Sequence, residues 1–372
     1  MMTGEGLWPF VWGLAACLFP TETAPPVSSD PTLTPRARIE TNLGAVVVRL
    51  DAEKAPGTVL NFVKYADDKF YDGTVFHRVI SDFMIQGGGF TPDLNEKTVG
   101  LRPAIRNEWR NGLKNKRGTI AMARLGNQPD SAKASFFINV VNNEFLDKPQ
   151  DGAAYCVFGA VVEGLETVDK IRQTPVKADT RFLVDRDRPV IPVESVVIQS
   201  VRMLDTLDRD RTEKLVAEFE TKLQETEAQT KAAASEAIRK RVAELEEKHG
   251  KKFTVSPSGL MILDVVPGTG ASPSAEGRAK VHYVGTLPDG KVFDDSRTNP
   301  DLEDQPADFP VNKVIKGWGE GLLTMKTGGR RILVIPPDLG YGSRGRQQIP
   351  PHATLFYEIE LLSVQESKPP TK

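Results

Sequence analysis

Val75-Phe76-His77-Arg78-Val79-Ile80 and, two residues later, Phe83-Met84-Ile85-Gln86-Gly87-Gly88-Gly89 form the stretch on which the reading of this chain turns. The two runs are rich in β-branched and aromatic residues and read as neighbouring strands. They carry a guanidinium and a carboxamide among aromatic and methionine side chains. A side-chain period of two sends Phe76 and Arg78 to one face, and Met84 and Gln86 to one face of the next strand. Most arginines sit on solvated sheet faces, so spacing alone leaves that bland reading open for Arg78.

Similar runs extend on both sides. Ile39-Glu40-Thr41 and Ala45-Val46-Val47-Val48 flank Asn42-Leu43-Gly44, a hairpin loop with glycine where a positive φ is needed. Pro56 opens a helix carrying Val59, Phe62 and Val63, since a proline at the first turn forfeits no helical hydrogen bond. Further strands are expected at 118–123, 135–140, 156–162 and 195–201, with a second helix marked by Leu165, Val168 and Ile171. Many strands, two helices and no strand–helix alternation predict a closed antiparallel barrel rather than a parallel sheet.

Residues 205–249 are a different material, without glycine or proline and dense in charge. Acids precede bases by four residues at Asp205–Arg209, Asp210–Lys214, Glu218–Lys222, Glu227–Lys231, Glu236–Lys240 and Glu244–Lys248, the favourable order on a helix. Gly250 ends the run. The reading is a solvated helix of about 65 Å. Leu215, Phe219 and Leu223 form one apolar stripe, and Ile238, Val242 and Leu245 another. Their offset is not a multiple of seven, which argues for a spacer over a continuous zipper. A homodimer through this helix is a further expectation. From Phe253 to Gln365 the chain is again strand-rich, around one short helix at 317–325, and predicts a half-open sheet wrapped on that helix.

With 372 residues and 39% apolar composition, the chain is long enough for two domains and too apolar for disorder. Lys plus Arg number 48 against 50 Asp plus Glu, so no positive field points to nucleic acid. Two cysteines and four scattered histidines offer no metal-ligand spacing, and no metal or cofactor is expected. The longest apolar run, Leu7 to Phe19, is too short to span a bilayer. It ends in Leu14-Ala15-Ala16-Cys17, which resembles a bacterial lipoprotein signal lacking its basic start. Export to the cell envelope, with Cys17 as lipid anchor and sole membrane attachment, is the expectation; a cytoplasmic protein is the alternative. Thr21 to Pro35, rich in Pro, Thr and Ser, reads as a flexible tether.

Phe76-His77-Arg78-Val79-Ile80, Phe83-Met84-Ile85-Gln86-Gly87-Gly88, Ala121-Met122-Ala123, Phe136-Phe137-Ile138 and Phe145-Leu146-Asp147 resemble, in order, the signature blocks of the cyclophilins. The resemblance spans residues 37–203 and implies an eight-stranded barrel that isomerises peptide bonds preceding proline. It implies Arg78 and Gln86 as catalytic residues. Phe83, Met84, Phe137 and Leu146 would form the proline pocket, with the Ala123 backbone binding substrate and Tyr155 standing where a pocket histidine is usual. Ser135, Arg124 and Phe145 replace the commoner Gln, Asn and Trp; Phe145 and Tyr155 are similar to bacterial envelope members.

A second set of blocks is Val281-His282-Tyr283-Val284-Gly285, Gly290-Lys291-Val292-Phe293-Asp294-Asp295-Ser296, Val314-Ile315-Lys316-Gly317-Trp318, Gly340-Tyr341-Gly342 and Ile349-Pro350-Pro351-His352-Ala353-Thr354-Leu355. Together they resemble the FKBP family of prolyl isomerases. That resemblance implies Asp294 and Tyr341 as the polar catalytic groups, and Tyr283, Phe293, Phe309, Val314, Ile315, Trp318, Ile349 and Tyr357 as the pocket lining. Tyr357 stands where Phe is usual.

The organisation expected is a signal-like segment and tether at 1–36, a cyclophilin-type domain at 37–203, a helical linker at 204–250, an FKBP-type domain at 251–366 and a tail at 367–372. The function expected is a peptidyl-prolyl isomerase with two independent sites, acting on unfolded or partly folded proteins. A non-catalytic holdase gripping proline-containing chains is the alternative, and retention of Arg78 favours the enzyme.

Overall fold

The computed structural model describes residues 28–149, 152–179, 189–302, 305–342, 345–346 and 348–366. Its first half comprises β1 (Ser28–Thr32), β2 (Arg36–Thr41), β3 (Gly44–Leu50), α1 (Pro56–Asp67), β4 (Thr74–Val75), β5 (Arg78–Ile80), β6 (Met84–Gly87), β7 (Thr119–Met122), β8 (Phe136–Asn139), β9 (Val157–Glu163), α2 (Leu165–Arg172), β10 (Val176–Lys177), β11 (Ile191–Pro192), β12 (Val197–Met203) and β13 (Asp205–Leu207). Nine of these strands form one curled half-barrel in the order β4-β12-β2-β3-β9-β7-β8-β6-β5. An eight-stranded count was expected; the difference arises because the run 74–80 breaks at Phe76-His77. There Phe76 N donates to Val196 O at 2.9 Å, and Val79 N to Val190 O at 2.7 Å.

That break also corrects the facing of the decisive stretch. Phe76 is buried in the main core with Phe62, Tyr71 and Phe136, whereas Arg78 lies on the opposite side of the sheet. Period two holds only along an uninterrupted strand. Along β6 and β8 it does hold: Ile85, Phe136 and Ile138 enter the main core, while Met84 and Phe137 join a second cluster with Ile80, Ala121 and Leu146.

Helix α1 begins at the expected Pro56, but its cap comes from elsewhere. Buried Glu108 accepts hydrogen bonds from Gly57 N (3.0 Å), Thr58 N (2.8 Å) and Thr58 Oγ1 (2.7 Å). A carboxylate at a helix N-terminus meets both the orphan amides and the positive end of the dipole. Cys156 lies beside this cap, and burial pushes its thiol up to about 12, so it stays protonated as a small core residue.

The tether reading fails for its last residues. Ser28–Thr32 forms β1, paired in parallel with β13 at the end of the same domain. Arg36 closes the pairing: its backbone N and Nε meet Asp205 Oδ2 at 2.9 and 2.8 Å, and Nη2 meets Oδ1 at 2.9 Å. The same carboxylate was expected to support Arg209 along the helix. Arg209 instead pairs with Asp67 at the end of α1. Tertiary partners with better geometry displaced the local pairs.

Helix α3 (Arg209–His249) is a single run of 41 residues, about 62 Å long. Asp208 caps it by accepting from Arg211 N at 3.0 Å, and Gly250 ends it in the left-handed region at φ 63°. Its first turns lie on α1, with Thr212 buried and Val216 against the main core. Its last turns pack Ile238, Val242 and Leu245 onto Leu263, Ile332, Val334 and Phe356. The second apolar stripe is therefore covered by a sheet of the same chain, while residues 224–236 are exposed on all sides.

The second half adds β14 (Thr254–Val255), β15 (Met261–Val266), β16 (Arg278–Thr286), β17 (Val292–Asp295), β18 (Ala307–Pro310), α4 (Lys316–Leu323), β19 (Arg330–Ile335) and β20 (Leu355–Gln365). The antiparallel order β14-β15-β19-β20-β16-β17, with β18 also on β16, curls around α4. Buried Arg331 ties the helix to the sheet, bonding Asp264 at 2.7 and 3.0 Å and donating to Gly321 O at 2.6 Å. A Cβ at Gly152 would lie 4.0 Å from Pro351, so a loop of the first half approaches a loop of the second.

Asp205→Asn should release β1 and the start of α3 together. The expected result is faster amide hydrogen exchange at Leu204 and Asp208, which donate to Arg36 O and Thr32 O, with exchange in β7 and β8 unchanged.

Candidate active sites

Alternation on β6, β7 and β8 builds the first site. The outward residues Met84, Gln86, Ala121 and Phe137 stand side by side because β6 and β7 both pair with β8, Gln86 and Ala121 both opposite Phe137. Met84, Phe137, Leu146 and Tyr155 floor a cavity of about 330 Å³, with Phe83, Ala123, Arg124 and Phe145 around its mouth. Phe83 and Phe145 stack at 5.4 Å, and Tyr155 meets Phe137 edge-on at 5.7 Å. Gly88, at φ 85°, follows β6 where a Cβ would strike Phe136 at 2.7 Å.

Arg78 stands at the edge of this apolar cavity. Its register partner on β6 is Gln86, and Nη1 donates to Gln86 Oε1 at 3.2 Å. Its guanidinium carbon lies 5.9 Å from the centre of the Phe83 ring. The carboxamide and the ring both neighbour the guanidinium at the cavity edge. Arg124, standing where Asn is usual, stacks over Tyr155 at 4.6 Å and donates to Ala153 O at 2.6 Å.

A buried amide network holds two of these walls. Asn143 Nδ2 donates to Phe83 O at 2.8 Å and to Asn139 Oδ1 at 2.7 Å. Asn139 Nδ2 donates to Asn115 Oδ1 at 3.1 Å, and Asn115 donates to Asp147 Oδ1 at 2.9 Å from both its backbone and its side chain. Phe83 and the short helical turn at Glu144–Asp147 carrying Leu146 are thereby fixed together. None of these asparagines was singled out in the sequence. Apart from the Asn143–Asn139 bond, their role rests on contacts between residues 24 to 60 positions apart, which no local pattern reports.

The second site is a well of about 770 Å³ floored by buried Trp318 at the start of α4. Tyr283, Tyr357 and Phe309 meet its indole edge-on or nearly so, at 5.0, 5.1 and 5.7 Å. Gly285 makes this possible, since a Cβ there would lie 2.8 Å from both Phe293 and Tyr357. Tyr283 donates to Asp294 Oδ2 at 2.9 Å, and burial with the adjacent carboxylate pushes its phenol well above the ordinary range. Asn299 Nδ2 reaches Asp294 Oδ1 at 3.5 Å. Arg346 sits over the Tyr341 ring at 5.6 Å.

Each family-implied residue of the first half lies in the first cavity, and each of the second half in the second. Cys17 lies outside the described residues. The second well also takes in Val292, Asn299, Leu302 and Lys313, which were not anticipated.

Comparison with known proteins finds a family for each half. The family described as cyclophilin type peptidyl-prolyl cis-trans isomerase matches residues 36–202, and the FKBP-type peptidyl-prolyl cis-trans isomerase family matches residues 270–362. Peptidyl-prolyl cis-trans isomerase cyp18 of Streptomyces antibioticus is 48% identical over 169 residues, covering 45% of this chain and 96% of the relative. Peptidyl-prolyl cis-trans isomerase B of Escherichia coli is 48% identical over 164 residues, covering 43% and 94%. A probable FKBP-type isomerase of Haemophilus influenzae is 36% identical over 205 residues, covering 51% and 81%. The chain belongs to the peptidyl-prolyl cis-trans isomerases. It joins a cyclophilin-type and an FKBP-type domain in one polypeptide.

His77, next to Arg78, gives the first domain an acid-sensitive point. It is buried, and desolvation first, then the Arg78 charge, lowers its pKa from 6.5 to about 4. The unfolded chain takes up a proton that the folded one refuses, so stability is full above pH 6.5 and falls as pH drops towards 4. The loss amounts to ~3 kcal/mol at most. Buried Glu108, whose carboxyl is raised by desolvation, works in the opposite sense. Urea midpoints of wild type and His77→Gln should therefore diverge in slope between pH 6.5 and 4.5 and run parallel above pH 7.

Proposed function

We propose that the two cavities are separate active sites for rotation about peptide bonds preceding proline, each reached by different chemistry. Amide resonance sets a barrier of ~18–20 kcal/mol, and unassisted exchange at proline takes tens to hundreds of seconds. As the C–N bond twists, the proline nitrogen becomes pyramidal and gains a lone pair absent from the planar amide. A donor aimed at that lone pair bonds the twisted state selectively, which is the condition for catalysis.

The observation that carries this reading is Arg78, oriented by Gln86 at the rim of an apolar cavity. Its donors remain charged at any working pH and lie in a rigid fork. Met84, Phe137 and Leu146 would seat the proline ring, while Gln86 and the Ala123 backbone hold the flanking chain.

In the second site desolvation does more of the work. A ring of aromatic side chains excludes water and disfavours the charge-separated planar amide relative to the twisted one. Asp294 and Tyr341 were both expected to orient the substrate carbonyl. A carboxylate accepts hydrogen bonds and cannot donate to a carbonyl; Asp294 instead holds Tyr283, which leaves Tyr341 as the orienting donor.

Residues 37–203 and 251–366 serve in this reading as the two catalytic domains, with 204–250 connecting them. The curled sheet is read as a closed barrel, because its terminal strands β4 and β5 are two pieces of one run. Clients are proline-containing chains in the course of folding.

Arg78→Ala in the full chain should remove most of the turnover of the first site and leave its KM nearly unchanged. Activity on short proline peptides should then vanish when Asp294 and Tyr341 are also replaced. Full activity of Arg78→Ala in a chain already lacking Asp294 and Tyr341 would remove the mechanism assigned to the first site. Residence in the cell envelope rests on Leu14-Ala15-Ala16-Cys17 alone; fractionation should find the chain with membranes, and Cys17→Ser should release it.

A further inference from the structure

The loop that follows Tyr341 is tied to the wall of the second well. His352 N donates to Gly342 O at 2.9 Å across its base. Within it Arg346 and Ile349 exchange both backbone bonds, Arg346 N to Ile349 O at 2.9 Å and Ile349 N to Arg346 O at 2.7 Å. Gly345 permits this close approach: it lies at φ 63°, and a Cβ there would meet Ile349 O at 2.4 Å. Ile349 is buried in the lining, so the backbone of Arg346 is fixed to the site itself.

The Arg346 side chain turns back along the rim. Its guanidinium carbon lies 5.6 Å from the centre of the Tyr341 ring, a cation–π contact. Among the described residues no ion pair or hydrogen bond engages its donors. It is exposed, and it stays charged at any working pH. The carboxylates lining the well, Asp294, Asp295 and Asp301, come from another stretch of chain, and Asp294 already holds Tyr283. Lys313, a second cation of the lining, belongs to the short turn before α4.

Position gives the Arg346 charge something to read. Tyr341 is the donor assigned to the carbonyl preceding proline. The side chain of the residue that owns this carbonyl leaves from the adjacent carbon. It therefore emerges beside Tyr341, within reach of a guanidinium already seated over that ring. We propose that Arg346 is a specificity-determining residue of the second site, favouring clients with Asp or Glu immediately before proline and disfavouring Lys or Arg there. The ring contact and the tied backbone hold the charge at the rim, which reduces the entropy lost when an ion pair forms. The exposed setting keeps the effect modest and open to screening by salt. The proposal rests on the reading of Tyr341 as the orienting donor.

The test uses the full chain carrying Arg78→Ala, so that the second site is read alone on matched Glu-Pro, Ala-Pro and Lys-Pro peptides. At low salt Arg346→Gln should lower the ratio of kcat/KM for Glu-Pro to that for Lys-Pro by about three- to ten-fold, attraction for one and repulsion for the other both being lost. Arg346→Lys should keep the ratio, Arg346→Glu should lower it further, and the differences should shrink at about 1 M salt. An unaltered ratio in Arg346→Gln would overturn the proposal. Equal losses on all three peptides would assign Arg346 to the fold of its loop and overturn it too. So would a ratio that falls in Lys313→Gln and not in Arg346→Gln, or one that responds only when the charged residue follows proline. Tyr341→Phe should slow all three peptides alike. If it slows none, the reading of Tyr341 falls and takes with it the assignment of Arg346 to the residue before proline.

Discussion

Side chains on a strand alternate between two faces, and the first domain makes both faces apolar for different ends. On β8, Phe136 packs inside with Phe62 and Tyr71, while Phe137 faces outward to floor the cavity. On β6, Ile85 goes inward between Met84 and Gln86. A one-residue slip of either strand would exchange core and site together. Site geometry is therefore specified by the same packing that stabilises the domain. The break at Phe76-His77 allows one run to supply a core phenylalanine and a surface arginine two residues apart.

The two sites answer one chemical problem from opposite directions. The first brings a permanent charge to an apolar rim and orients it with a carboxamide. The second places a tryptophan floor and three phenols around a well where the Asp294 carboxylate is engaged by Tyr283. In the mechanism proposed, one emphasises a donor specific to the twisted amide; the other emphasises an environment hostile to the planar one. Neither arrangement requires a nucleophile or a proton transfer to substrate, in keeping with a reaction that breaks no covalent bond.

Much of this was legible in the chain because the deciding signals are local. Strand runs, the proline-started helix, the glycine-stopped linker and the ordered family blocks each lie within a few residues, and the blocks led to both cavities. What escaped was long-range. Glu108 caps a helix through Gly57, 51 residues before it, and Asp205 meets Arg36 across 169 residues instead of Arg209 four residues on. The N-terminal strand was read as tether because Ser28-Ser29-Asp30-Pro31-Thr32 has no strand-like pattern of its own. It is ordered by pairing with β13 and by the Arg36 clamp. Facing at Phe76 was misjudged because the break that reverses it is made by hydrogen bonds to Val190 and Val196.

Helix α3 is seated on one domain at its first turns and on the other at its last. Such a connection transmits phase as well as distance. Each residue inserted or deleted in its exposed middle would turn the far domain by about 100° and advance it by about 1.5 Å. A single-residue change would therefore re-aim one site relative to the other far more than it would move it, whereas a change of seven residues, close to two turns, would nearly restore the aim. The linker is thus constrained in length by angle rather than by reach.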